Sequence, residues 1–187
     1  MTLNYARRLA SEVKRQLAPY TYRIDIGGSI RREKPVVKDI EIVMIPKTVP
    51  YESKELFNNQ PPKMVRHPTL VRIINQWEKV KGDAINGKYM QREMQLLAED
   101  YPGIPERSIK IDIFTATREN YGYIFAIRTG PDTFSHEVLA KGWVAAGYKG
   151  HDGSLVKAAT GEVVPIPEEK DLFNLVGIKY IEPHLRK

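Results

Sequence analysis

Two short segments in which isoleucine alternates with acidic residues constrain this chain more than any other feature. Residues 38–43 contain Asp39 and Glu41, and residues 110–114 contain Asp112. Successive side chains of a strand point to opposite faces, so the acids would share one face and the isoleucines the other. If the two strands are neighbours, three carboxylates converge, and they repel one another unless divalent cations lie between them. Oxygen ligands of this kind suit Mg²⁺ or Mn²⁺.

The segment before the first acidic strand has the pattern of a phosphate-binding turn. Residues 22–26 alternate as a strand, residues 27–29 read Gly-Gly-Ser, and Arg31 and Arg32 follow. Taken alone, such a turn is also an ordinary strand-to-helix connection, and the acids are also the solvated face of a half-buried strand. Together they favour a phosphate cradle beside a metal site, which is the chemistry needed for nucleoside triphosphates.

The composition is typical of a globular protein, with 187 residues, 42% hydrophobic and 28% charged. No apolar stretch is long enough to span a membrane, and the N-terminus is too polar for a signal peptide, so we expect a cytoplasmic protein. The absence of cysteine excludes disulfides, thiolate-zinc sites and a cysteine nucleophile. The histidines are scattered without ligand spacing, which disfavours a zinc site.

The net charge of +6 suits a polyanionic partner such as nucleic acid. Four of the basic residues, Arg7, Arg8, Lys14 and Arg15, lie on the first predicted helix. They are compatible with a groove that follows a phosphate backbone and equally with an ordinary solvated helix face.

Periodicity and turn residues divide the first 130 residues into alternating elements. We predict helices over residues 4–18, 70–77 and 121–127, strands over 22–26, 38–45 and 109–114, and an irregular proline-rich stretch over 46–68. Asn86-Gly87, between residues 82–85 and 88–94, predicts a hairpin with a two-residue turn.

The sequence changes character after Pro131, and we place a domain boundary near residue 130. A helix over residues 134–146 is expected to end at Gly147, short strands and a Thr160-Gly161 turn to follow, and a last helix to begin at Pro167. We therefore expect an α+β fold class, with one domain over residues 1–130 and a small α/β domain over residues 131–187.

These motifs resemble the X family of DNA polymerases, within the nucleotidyltransferase superfamily that carries Gly-Ser followed by Asp-x-Asp/Glu. The palm of that family is similar in Gly28-Ser29-x-Arg31-Arg32, Asp39-x-Glu41, Ile111-Asp112-Ile113 and Thr129-Gly130. Its thumb is similar in residues 161–166, 169–173 and 179–183. The thumb motifs distinguish the chain from antibiotic adenylyltransferases, tRNA-tailing enzymes and toxin-like transferases. The resemblance implies a nucleotidyltransferase palm, built as a mixed or antiparallel sheet with flanking helices, over residues 1–130. It also implies a small α/β thumb that binds nucleotide and nucleic acid over residues 131–187, in the compact form of viral and phage members.

The resemblance also implies roles for individual residues. Asp39, Glu41 and Asp112 would be catalytic and would hold two Mg²⁺ ions, for which Mn²⁺ can substitute: one on the triphosphate, one lowering the pKa of the primer 3′-hydroxyl. The residues implied in nucleotide binding are Gly28, Ser29, Arg32, Arg128, Thr129, Gly130 and Asp132. Among these, Ser29 and Arg32 would bind the β- and γ-phosphates, and Asp132 would pack against the incoming base.

Four differences separate the chain from the family pattern. Glu41 stands where an aspartate is usual, Glu33 replaces a glycine, and Ile127-Arg128 replace an aromatic pair that bears on sugar selection. Since the first helix already resembles the palm, we expect no lyase domain and no helix-hairpin-helix element.

The expected function is template-directed, gap-filling DNA synthesis of the kind used in DNA repair, with release of pyrophosphate. The partners would be a nucleoside triphosphate and primer-template or gapped DNA, bound by a monomer without membrane contact, in the host cytoplasm if the source is viral or phage. One alternative is the same chemistry on an RNA end, a protein or a small molecule. Another is a non-catalytic nucleic-acid-binding module, which three carboxylates near phosphate disfavour.

Overall fold

The computed structural model describes residues 1–51, 62–99 and 102–187, which contain both helices and strands. The helices are Leu3–Leu17 (α1), Gly28–Arg31 (α2), Pro68–Ile74 (α3), Tyr121–Thr129 (α4), Asp132–Phe134 (α5), Lys141–Ala145 (α6) and Glu169–Leu175 (α7). The strands are Thr21–Ile26 (β1), Asp39–Pro46 (β2), Thr48–Pro50 (β3), Met64–Arg66 (β4), Glu78–Lys81 (β5), Tyr89–Gln95 (β6), Ser108–Thr115 (β7), Tyr148–His151 (β8), Ser154–Lys157 (β9) and Val163–Val164 (β10).

A mixed five-stranded sheet forms the centre of the N-terminal part, with the strand order β1-β2-β7-β6-β5. Strand β2 pairs with β7 in parallel, and the other neighbouring pairs are antiparallel. The mixed sheet with flanking helices agrees with the predicted class. The acidic segments predicted as strands are thus neighbours.

One face of this sheet carries the main hydrophobic core. Helix α1 is amphipathic because Ala6, Leu9, Val13 and Leu17 recur at helical spacing, and all four are buried. They pack with the isoleucines of β2 and β7, namely Ile40, Ile42, Ile111 and Ile113. Because side chains alternate along a strand, this packing leaves Asp39, Glu41 and Asp112 on the opposite face.

Helix α4 covers part of that opposite face. Tyr121 and Phe125 of the helix pack on Val43 of β2 and Phe114 of β7. Since Val43 and Phe114 each lie two residues beyond an acid on the same face, the helix buries one half of the face and leaves the acidic half uncovered.

The C-terminal part has its own hydrophobic cluster and a small antiparallel sheet with the order β10-β9-β8. The cluster includes Phe134, Trp143, Leu155, Leu172 and Phe173. It also includes Tyr123 and Ala126 of α4, so the helix contributes to packing on both sides of the predicted boundary at residue 130.

The helix predicted over residues 134–146 is observed as a continuous helical segment. It begins at Asp132, passes through a π-helical stretch over Ser135–Ala140 and ends at Ala145. Gly147 has a φ of 86°, a left-handed conformation that glycine adopts at helix ends. The last helix begins at Glu169, two residues later than predicted.

The prediction of a hairpin with a two-residue turn at Asn86-Gly87 is wrong. The paired strands are β5 and β6, and a longer loop over residues 82–88 joins them. Asp83 accounts for the difference, because its carbonyl accepts a hydrogen bond from Gly87 N at 2.8 Å and its carboxylate accepts one from Asn86 N at 3.0 Å. These local bonds close a wider turn before the strands begin.

The proline-rich stretch predicted to be irregular over residues 46–68 is ordered at its two ends. Strands β3 and β4 pair antiparallel there, with Val49 opposite Val65. The middle of that stretch, residues 52–61, lies outside the described residues. In the part of the chain that the structure describes, none of the helices combines the length and apolarity needed to cross a membrane.

Candidate active site

Three carboxylates share the open half of the central sheet. Glu41 on β2 lies directly opposite Asp112 on β7, and Asp39 lies opposite Lys110 in the same parallel register. All three acidic side chains are half-buried. The structure therefore brings the predicted catalytic acids together on one face, on adjacent strands.

Burial and mutual repulsion disfavour the charged forms of two of these acids. Burial, followed by the charges of Asp39 and Asp112, raises the pKa of Glu41 to about 7. Burial and the charge of Asp112 likewise raise the pKa of Asp39. Arg32 opposes both shifts through its positive charge. A further positive charge beside the three acids would thus stabilise their charged forms.

A divalent cation matches this cluster in charge and in donor chemistry. Within residues 1–51, 62–99 and 102–187, no group of three or more acidic or histidine side chains is close enough together to hold a metal ion as the side chains stand. The three acids offer carboxylate oxygens, which suit Mg²⁺ and Mn²⁺. A cation would offset the burial and the repulsion that together raise the pKa of Glu41. Asp39, Glu41 and Asp112 are therefore the residues that could hold such an ion.

The predicted phosphate turn packs directly against the acidic strand. The amide of Gly27 donates a hydrogen bond of 2.8 Å to the carbonyl of Glu41. Gly28, the first residue of α2, has a φ of 60°, and a Cβ atom there would overlap the carboxylate of Glu41. The positive φ favours glycine at position 28, and the absence of a side chain there lets the Glu41 carboxylate lie against the turn.

A polar cavity of about 270 Å³ lies between this turn and the start of α5. Its lining residues are Ser29, Arg32, Asp39, Glu41, Ile127, Arg128, Gly130, Pro131 and Asp132. The Ser29 hydroxyl and Arg32 Nε are two of the six buried side-chain polar atoms that have no hydrogen-bond partner within the described residues, and these two belong to residues that line the cavity. A buried donor without a partner costs about 1–3 kcal/mol. Both atoms are therefore donors that an anion such as phosphate would satisfy.

The turn at Thr129-Gly130 holds Arg32 in place. Arg32 Nη1 donates to the carbonyl of Thr129, and a Cβ on Gly130 would lie 3.1 Å from the same nitrogen. The Thr129 hydroxyl is fully buried and donates to the carbonyl of Phe125 at 2.7 Å. Thr129 thus meets Arg32 through its backbone, while its side chain lies away from the cavity.

Arg128 and Asp132, the other two predicted nucleotide-binding residues, are exposed at the cavity wall. The guanidinium carbon of Arg128 lies 4.1 Å from the centre of the Phe114 ring. This cation–π contact holds Arg128 over β7, two residues beyond Asp112. All ten residues of the predicted site belong to one region around the turn, the acidic strands and the end of α4, and their roles stay predictions.

Arg31 has a role that the sequence did not indicate. Its guanidinium donates to both carboxylate oxygens of Glu169, at 2.9 and 2.7 Å, and stacks 4.0 Å from the centre of the Phe125 ring. Glu169 also accepts a hydrogen bond of 2.8 Å from Arg186. This buried network joins α2 to α7 and to the end of the chain. Because Arg31 and Glu169 are 138 positions apart, no local sequence pattern reveals the pair.

Sequence reasoning also missed two donors to Asp112. Tyr89 and Gln91 on β6 each donate a hydrogen bond of 2.8 Å to Asp112 Oδ1. The alternation along β6 places them on one face, but the register of β6 against β7 is needed to bring them to the acid.

Larger clefts in the described part of the chain lie away from the carboxylates. One of about 560 Å³ runs along the outer surface of α1, one of about 740 Å³ lies at the β5–β6 edge, and one of about 400 Å³ borders residues 136–145. None of these three clefts combines an acidic cluster with unpaired buried donors. The acidic side chains and the unpaired buried donors, and not the volume, therefore identify the smaller cavity as the candidate site.

Comparison with protein families adds an independent finding for the C-terminal part of the chain. Residues 125–187 match the family model of the DNA polymerase beta thumb. No curated protein matches the chain. The match relates this part, from within α4 to the last residue, to X-family polymerases, in line with the predicted thumb. It covers none of the three carboxylates, so their interpretation depends on the geometry of the site.

Proposed function

We propose that this chain is a metal-dependent nucleotidyltransferase, a small X-family-like DNA polymerase with a palm over residues 1–130 and a thumb over residues 131–187. One observation carries the proposal. Three carboxylates share a sheet face beside a cavity in which the Ser29 hydroxyl and Arg32 Nε are buried without partners. The thumb match over residues 125–187 supports it.

The proposed reaction is an in-line displacement at phosphorus. The primer 3′-oxygen bonds to the α-phosphorus of the nucleotide, the bond from that phosphorus to the bridging oxygen breaks, and pyrophosphate leaves. Asp39, Glu41 and Asp112 would hold Mg²⁺, and a bound ion would supply positive charge beside the phosphates and would lower the pKa of the hydroxyl. Asp112 is our candidate to accept the hydroxyl proton.

Residues at the turn would bind the triphosphate. The Ser29 hydroxyl and Arg32 would donate to the β- and γ-phosphate oxygens, which satisfies the two buried donors. Arg128 and Asp132 at the cavity wall would lie beside the sugar and base. Because these groups are positioned before the substrate arrives, they contribute mainly by orientation and electrostatics.

We propose DNA as the acceptor because the matched family is a DNA polymerase thumb. The net charge of +6 suits contact with a phosphate backbone. Binding should therefore weaken steeply as salt rises, and each encounter should add one or a few nucleotides. A monomer in the cytoplasm and a role in repair are part of the same proposal.

A primer-extension assay tests the function. A labelled primer is incubated with each nucleotide set, on a gapped template and without template, in Mg²⁺, Mn²⁺ or EDTA. We expect extension on the template with either metal and none in EDTA. Asp39→Asn should reduce the rate on the order of 10³-fold. Glu12→Gln, a carboxylate on α1 across the sheet, is the matched control and should leave the rate unchanged.

Other outcomes of this assay point to the alternatives. Extension without template would indicate a tailing enzyme, and transfer only to RNA, protein or a small molecule would indicate a different acceptor. DNA binding without transfer to any acceptor would indicate a non-catalytic binding module and would contradict the proposal.

A further inference from the structure

Asp112 differs from the other two acids in the hydrogen bonds that it receives. Tyr89 Oη and Gln91 Nε2 both donate to its Oδ1 atom, each at 2.8 Å. Within the described residues, no side chain donates to its Oδ2 atom, and none donates to the carboxylates of Asp39 or Glu41. Asp112 Oδ1 therefore accepts two side-chain hydrogen bonds, while the other carboxylate oxygens of the three acids accept none from the described side chains.

The two donors are themselves held firmly. Gln91 lies directly opposite Asp112 in the antiparallel register of β6 and β7, and Tyr89 lies opposite Phe114. The Tyr89 ring stacks on the Phe114 ring with 4.9 Å between centres and 19° between planes. Because both donors are half-buried and belong to a strand that is paired on both sides, they define the plane of the Asp112 carboxylate.

We infer that Tyr89 and Gln91 are positioning residues for Asp112, an inference that depends on the proposed function. Their hydrogen bonds occupy the Oδ1 atom of Asp112. The Oδ2 atom is then the oxygen that Asp112 offers to a divalent cation and to the reacting hydroxyl. Partners of metal ligands orient the ligand, and removing such a partner costs about 10–100-fold in metal affinity or activity.

A purely structural role for the two hydrogen bonds makes a different prediction. If the bonds only stabilise the sheet, removing them lowers the free energy of unfolding and leaves metal affinity unchanged. If they orient Asp112, removing them lowers metal affinity and kcat, while the metal-free protein unfolds at nearly the same temperature and the KM for nucleotide changes little.

The test uses Tyr89→Phe, Gln91→Leu and the double variant in the full chain. Tyr22→Phe, an exposed tyrosine, and Gln95→Leu, on the same strand and the same face as Gln91, are the matched controls. Mn²⁺ binding is followed by electron paramagnetic resonance, unfolding is followed without metal, and kcat and KM are measured separately. We expect each single variant to bind Mn²⁺ about 10-fold more weakly and the double variant about 100-fold more weakly.

The outcomes separate this inference from the proposed function. Wild-type protein that binds Mn²⁺ and extends primers, together with variants of unchanged affinity and kcat, would overturn the inference alone. Wild-type protein that neither binds Mn²⁺ nor transfers nucleotides would overturn the proposed function and this inference with it. If Gln91→Leu fails to fold, the Mn²⁺ affinity and kcat of Tyr89→Phe test the inference alone. This variant removes one oxygen atom and retains the stacking of the ring on Phe114.

Discussion

Gly28 lies so close to Glu41 that a Cβ atom on the glycine would overlap the glutamate carboxylate. Gly28 also has a φ of 60°, which other residues adopt only with strain. A side chain at position 28 would therefore have to displace the Glu41 carboxylate. This contact sets the distance between the proposed phosphate site and the proposed metal site.

Replacing Gly28 by alanine should displace Glu41. We expect Gly28→Ala to destabilise the fold by more than about 1 kcal/mol and to remove most nucleotidyl transfer. Gly161→Ala is the control, because Gly161 has a φ of 74° but a Cβ atom there would meet no other atom within 4 Å. That variant should lose stability through backbone strain and keep its activity. Urea unfolding and primer extension measure the two effects, and a fully active Gly28→Ala protein would contradict the assignment.

The raised pKa of Glu41 predicts how stability without metal depends on pH. Its pKa rises from 4.5 to about 7 on folding, so the stability linked to the protonated form is complete below pH 4.5 and is lost as pH rises to about 7. In EDTA, the free energy of unfolding should fall across this window by on the order of 2 kcal/mol. Glu41→Gln should remove this contribution, whereas Glu12→Gln should retain it. Denaturant unfolding across the pH range provides the measurement.

The buried pair of Arg31 and Glu169 should be important for stability. Glu169→Gln leaves Arg31 and Arg186 without their ionic partner, which for a buried pair costs about 3–5 kcal/mol. The neighbouring Glu168→Gln is the control, because Glu168 is 59% exposed in its pair with Arg23. That change should cost less than about 1 kcal/mol. Equal losses of stability in the two variants would contradict the buried network.

Arg128 is predicted to weaken discrimination between deoxy- and ribonucleotides. Its guanidinium lies over the Phe114 ring at the cavity wall, where a flexible donor can move aside or donate to a ribose 2′-hydroxyl. We expect similar incorporation of dATP and ATP by the wild type and a stronger preference for dATP in Arg128→Phe. A strong preference for dATP in the wild type that the substitution leaves unchanged would show that Arg128 takes no part in sugar selection. In that case, contact with template phosphate is the alternative role.

The sequence predicted the elements that carry a strong periodic signal. The alternation of isoleucine with Asp39, Glu41 and Asp112 correctly predicted two strands and the face that carries the acids. The spacing of Leu9 and Val13 similarly predicted α1. In each case burial on one side imposes the period, so the pattern and the structure have the same physical cause.

Elements without such a signal were not predictable. All four residues of β5 are exposed, so no alternation distinguishes the strand from a loop, and the hydrogen bonds of Asp83 moved the turn away from Asn86-Gly87. The contacts of Tyr89 and Gln91 with Asp112 depend on strand register, and the pairing of Arg31 with Glu169 depends on packing between distant segments. Tertiary relations of this kind leave no local trace in the sequence.

Pyrophosphate release counted against primer extension tests the central claim most directly. With gapped DNA, deoxynucleotides and Mg²⁺, the wild type should release one pyrophosphate for each nucleotide added and none in EDTA. Asp112→Asn should lower both rates together, on the order of 10³-fold, while retaining the fold. Undiminished release and extension in EDTA, or by Asp112→Asn, would contradict catalysis by a metal ion held at these three carboxylates.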